Sequence, residues 1–223
     1  MPTRLSLAFA LSATLAGAAA AQDAALAGRI DGDMYVSATG EFKIRMPVLT
    51  ELGGKVEDTD NVVTFSDNFN THISIACFAL DATQKWELET RGLRDYLLFF
   101  VTDALMPDFE RRFPGSKVES ARFLPELQDG SLIAYALLPG GSFFEARNKV
   151  LDGPALPPVV AKRGSLLFVR NHYVYVLSTE LAERATQRST YSQTAEAEDT
   201  TLSNRLVELA GRLVFLSAKT RGS

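Results

Sequence analysis

Apolar positions along this chain recur with two periods, and the period separates strands from helices. From Ser165 to Glu180, two runs of β-branched and aromatic residues flank a polar break at Arg170-Asn171-His172, the pattern of a β-hairpin. On the return strand Tyr173, Tyr175 and Leu177 alternate with Val174 and Val176, so both faces are apolar. Such a strand belongs inside a sheet covered on both sides, and this hairpin is expected at the sheet centre.

Period-two alternation predicts further strands. Phe42, Ile44 and Met46 alternate with Glu41, Lys43 and Arg45 until Pro47, which cannot donate to a ladder. Strands over 61–66 and 71–80 flank a polar turn at 67–70, and strands over 116–124 and 131–138 flank Asp129-Gly130. The period lengthens from about residue 90. Leu93, Tyr96, Leu97, Phe100, Val101, Ala104 and Leu105 mark one helix face, which Leu98 and Phe99 widen and Pro107 ends or kinks. Trp86 is expected to pack at the entry to this helix. A last helix, starting at Asp199 or Thr200, carries Leu202, Leu206, Leu209, Leu213 and Leu216. Between these elements, 139–158 reads as a long loop, and the polar stretch 181–199 as a mobile loop or a short helix plus loop. The order implies an α+β fold, an antiparallel sheet with helices packed on it.

Tyr35-Val-Ser together with Gly40-Glu-Phe-Lys-Ile-Arg-Met-Pro47, then a hairpin, the helix near Leu93, the hairpin 166–179 and a closing helix, resembles the PsbP/Mog1-like family. The resemblance spans nearly the whole chain after its leader. It implies an α/β/α sandwich around the antiparallel sheet, and a role in binding proteins or supporting large assemblies rather than in catalysis.

The first residues set the expected address. Arg4, an apolar run from Leu5 to Leu15 and Ala19-Ala20-Ala21 make a secretory signal peptide over 1–21, too short in its apolar run for the roughly 20 residues that span a bilayer. The organisation expected is a leader 1–21, a loose lead-in 22–33, one domain over 34–216 and a tail 217–223, in a bacterial periplasm or secreted, with no integral membrane segment after cleavage. The chain carries 23 basic and 27 acidic residues, a net charge of −4, which argues against nucleic acid as a partner. With one cysteine no intrachain disulfide forms, so packing has to hold the fold.

The sequence offers little chemistry. Cys77 shares a strand face with Ile73 and Ile75, the position of a buried inert thiol, while His72 falls on the opposite face and His172 in a turn. No phosphate loop, dinucleotide fingerprint or nucleophile elbow occurs. Glu57, Asp58 and Asp60 lack the spacing of a calcium loop and read as a solvated turn. No metal, cofactor or catalytic residue is assigned. Phe143 and Phe144, in the long loop, either fold back onto the domain or anchor a partner, since aromatic residues dominate interface hot spots. The expectation is a non-catalytic envelope protein that binds a protein partner. A carrier of an apolar small molecule and a hydrolase using Cys77 with His72 or His172 are the alternatives.

Overall fold

The computed structural model describes residues 26–144 and 158–216, so the expected leader, the tail and the middle of the 139–158 connection lie outside the described residues. The hairpin is β9 (Val160–Arg170) and β10 (Tyr173–Glu180). Asn171 and His172 both have positive φ, 51° and 64°, as a two-residue turn matched to strand twist requires. β10 is the middle strand of a seven-stranded antiparallel sheet. On one side lie β6 (His72–Ala79), β5 (Val62–Ser66) and β4 (Lys55–Asp58). On the other lie β9, β8 (Ser131–Pro139) and β7 (Lys117–Leu124). A second sheet, in the order β1 (Arg29–Asp31), β2 (Met34–Val36), β3 (Phe42–Arg45), β11 (Val214–Phe215), is also antiparallel.

The alternation read along β10 sorts side chains into two cores. Tyr175 and Leu177 join Ile75, Cys77, Ile133, Leu166 and Phe168 beneath the small sheet and α5 (Ala195–Arg212). Val174 and Val176 join Ala76, Leu132 and Leu167 beneath α2 (Leu93–Phe100), through Tyr96, Leu97 and Phe100. Both faces of the sheet are covered, and the fold is α+β. Close approach of α5 depends on Gly164: a Cβ there would stand 2.9 Å from a Leu206 methyl and 3.2 Å from Leu202 Cβ.

Several boundaries differ from those expected. The first helix begins earlier, as α1 (Ala82–Arg91), because Asp81 and Gln84 form a reciprocal capping box. Gly92, at φ 77°, separates it from α2. Trp86 lies on the outer side of α1 and is 59 % exposed, and Leu98 is also exposed, so neither packs as expected. Phe99 is half-buried under the Arg91 guanidinium, 4.4 Å from its ring centre. Before Pro107 the backbone opens into a π-helical turn over Val101–Leu105, then continues as α3 (Met106–Arg112). Proline has no N–H and its ring crowds the carbonyl four residues back, which the wider turn relieves.

The stretch 181–199 contains α4 (Glu183–Thr186) and the first turn of α5, whose cap is Thr194 rather than Asp199 or Thr200. α5 stops at Arg212. Leu216 is therefore not helical: Val214 and Phe215 pair with Lys43 and Phe42, and Phe215 sets its ring edge-on to Phe168 and Tyr175. The lead-in 22–33 includes β1, paired with β2. Lys55–Asp58, unassigned by alternation, forms edge strand β4. Its Asp58 accepts hydrogen bonds from the Ala27 and Gly28 amides and the Tyr35 hydroxyl at 2.7–2.9 Å, tying the small sheet to the large one. Glu41, expected on the polar face of β3, is buried.

Candidate functional site at the ionic end of the sheet

Charge enters the sheet interior at one end. A two-residue turn fixes the register of β9 and β10, and seven pairs further on it sets Arg163 opposite Glu180. Next to them on β6 stands His72, one step beyond the Thr179–Ile73 pair. By the period of two, all three side chains share the sheet face that α2 covers farther along. Arg163 and Glu180 are 4 % and 1 % exposed.

The segment Gly141–Phe144 lies across this row. The Ser142 hydroxyl donates to Glu180 Oε1 at 2.5 Å, and the Phe143 amide donates to Oε2 at 3.1 Å. Arg163 Nη2 donates to the Gly141 carbonyl at 3.2 Å and stands 3.5 Å from Glu180 Oε2. The Phe143 ring stacks on His72, centroids 3.5 Å apart and nearly parallel, with the Arg163 guanidinium 4.2 Å from its centre. Phe144 is fully buried among Val159, Ala182 and Ala185. Of the two aromatics expected as partner anchors, Phe144 thus has no free surface and Phe143 is half-buried.

Burial raises Glu180 above the usual carboxylate range, with Arg163, Ser142 and the Phe143 amide pulling it back. Burial likewise lowers Arg163, against the attraction of Glu180. A buried charge is tolerated only when paired and hydrogen-bonded. Glu180 meets that condition by holding the start of the 139–158 connection.

The next residue of β9 does the same on the other face. Lys162 is fully buried, with Glu119, Asp199 and Glu198 carboxylates at 2.5, 2.6 and 3.1 Å and the Ala195 carbonyl at 3.2 Å. Burial opposes its charge, but the three carboxylates outweigh it and hold Lys162 above the ordinary lysine range. Ser120 and Tyr135 donate to the Asp199 carboxylate and carbonyl, and Tyr191 to Glu198. The first turn of α5 is thereby fixed to β7, β8 and β9.

The surface of this end is apolar in part. The Asn68 amide donates to the Leu52 carbonyl at 3.3 Å, which brings the 3-10 turn Thr50–Leu52 beside the β5–β6 turn. Leu49, Leu52 and Phe69 are 59 %, 44 % and 58 % exposed there. Asp67 holds the turn rigid by accepting from the Phe69, Asn70 and Thr71 amides at 2.8–3.0 Å.

The cysteine lies elsewhere. Cys77 is buried under the Ser37–Gly40 turn, 3.8 Å from the Thr39 hydroxyl. The cavity beside it measures about 10 Å³, room for no more than one water. His72 is five residues away along β6 on the opposite face, roughly 16 Å at strand rise, and His172 is exposed in the turn between β9 and β10. Neither histidine is brought to the thiol. Among the described residues no cluster of His, Cys, Asp and Glu has the arrangement of a metal site, and no helix is long and apolar enough to cross a membrane. Of the acids considered for calcium, Asp58 is engaged by Tyr35, as above.

Lys162, Arg163 and Glu180 are not legible from alternation, because charged residues at strand ends look like surface, and Ser142 lies in a loop with no period. The turn at Asn171-His172 carried the missing signal, since a two-residue turn there fixes Arg163 opposite Glu180. No protein-family model and no curated protein matches the chain.

Proposed function

We infer that this is a non-catalytic accessory protein of the bacterial envelope, with the PsbP/Mog1-like fold its sequence resembles, acting by binding another protein at the ionic end of the sheet. The observation that carries this reading is the group Leu49, Leu52 and Phe69, three large exposed apolar side chains on two hydrogen-bonded turns, one of which Asp67 makes rigid. Exposed apolar groups rimmed by polar residues mark contact surfaces, and a rigid platform lowers the entropy lost on association. Phe143, beside His72 at the same end, extends the surface. Chemistry is disfavoured there because Ser142, Arg163 and Glu180 are engaged in holding the segment down.

In-cell cross-linking followed by mass spectrometry tests the reading. Wild-type protein is expected to give the same envelope partner in replicate experiments, and Leu52→Ser with Phe69→Ser to lose it while unfolding at the wild-type temperature. Failure to recover any reproducible partner, or undiminished recovery by the double variant, would count against it.

A further inference from the structure

Between the β5–β6 turn and the second half of α5 lies a cavity of about 200 Å³, open on one side. Its floor is apolar, made by Ile73 and Leu209, and Thr71 stands on one wall. The other wall is a stripe of α5: Arg205, Glu208 and Arg212, residues spaced by three and four that share one helix face.

The two arginines are held differently. Arg205 is gripped by Glu183 on α4 through both terminal nitrogens, at 2.5 and 3.4 Å, and Glu183 is correspondingly lowered, against its burial, by that contact. Among the described residues Arg212 is paired along its own helix, with Glu208, and the two side chains are 51 % and 63 % exposed. A solvent-exposed pair of this kind is worth a few tenths of a kcal/mol, so an incoming carboxylate can replace Glu208 at little cost. Arginine offers such a group two parallel N–H donors. The apolar floor then takes an aliphatic group. At about 30 Å³ per water in the liquid, the cavity has the volume of roughly seven waters, enough for a branched chain of a few carbons.

We propose that this groove binds a small aliphatic carboxylate of about amino-acid size, its carboxylate on Arg212 and its carbon chain on Ile73 and Leu209. The group is either a free acid or the C-terminal residue of a peptide. Glu208 acts as an internal competitor for Arg212.

Titrating isotope-labelled protein with 4-methylpentanoate, and following amide resonances, tests the proposal. Saturable shifts confined to residues 70–73, 179 and 205–212 are expected, and the uncharged 4-methylpentanol should give none at the same concentration. Arg212→Gln should weaken binding about tenfold, the loss expected for a bidentate charged contact, whereas Glu208→Gln should tighten it. A blocked pentapeptide ending in leucine with a free carboxylate distinguishes the two sources: tighter binding than the free acid assigns the groove to chain termini, weaker binding to small acids. Equal shifts with acid and alcohol, no saturation with either acid or peptide, or weaker binding by Glu208→Gln would overturn the proposal.

Discussion

The two ends of the β9–β10 hairpin are built on opposite principles. Toward the Asn171-His172 turn, Leu166, Leu167, Phe168, Val174, Tyr175 and Val176 are buried against apolar neighbours on both faces. At the other end Lys162, Arg163 and Glu180 are just as buried, but Lys162 is ringed by three carboxylates and Arg163 and Glu180 face each other. The apolar end draws stability from area removed from water and is indifferent to direction. The ionic end gains little net stability over an apolar equivalent, since desolvation offsets attraction. It does dictate partners: Lys162 fastens the first turn of α5 and Glu119 of β7, and Glu180 fastens the Gly141–Phe144 segment beside Arg163. One end holds the sheet together and the other determines what is laid over it.

The largest effect separating the ends should come from Lys162→Met. Removing the ammonium leaves Glu119 and Asp199 without their shared cation and Glu198 with only Arg184 at 3.5 Å, and breaking such a buried pair costs about 3–5 kcal/mol, measurable by urea unfolding. The same residue gives the ionic end a pH signature. Its folded-state pKa is raised above 10.5, so its favourable contribution is complete below the unfolded value and fades as pH rises through the folded one. Stability should fall as pH rises above about 10.5, and Lys162→Met should flatten that fall.

At the apolar end, Tyr175→Ala should cost about 2–5 kcal/mol through the cavity it leaves, seen as a lower unfolding midpoint. That figure is close to the cost at Lys162, so compensation is the sharper test. Arg163→Met combined with Glu180→Leu should cost less than either change alone, because no charge is left unpaired. No second substitution is expected to rescue Tyr175→Ala in this way, and an additive double variant at the ionic end would erase the contrast. The smallest effect belongs to Trp86→Ser on α1. As an exposed site it should shift stability by no more than about 0.5 kcal/mol.

The apolar end was legible in the sequence. Tyr175 and Val176 declare opposite faces by position alone, and the leucines of α5 do so at helical spacing. The ionic end was not, because a period records where water is excluded and carries no record of which charge meets which. Lys162 finds Glu119 across two neighbouring strands and Glu198 on a helix more than 30 residues later, contacts that no local pattern encodes. Arg163 and Glu180 were recoverable from turn geometry. Phe143 and Phe144 stand out in the sequence as residues that either fold back or anchor a partner, but only the fold shows Phe144 turned inward. Trp86 misled for the opposite reason, since its size suggested burial where α1 leaves it in solvent.

The contrast between the two ends depends on Glu180 fastening the Gly141–Phe144 segment to the sheet. Native-state hydrogen exchange of the Phe143 amide, which donates to Glu180, measures that directly. Glu180→Gln should lower its protection by about tenfold or more, in keeping with a lost charge-assisted hydrogen bond, while the amides of Leu166 and Val176 exchange as in the wild type. Unchanged protection at Phe143, or an equal loss at all three positions, would contradict it.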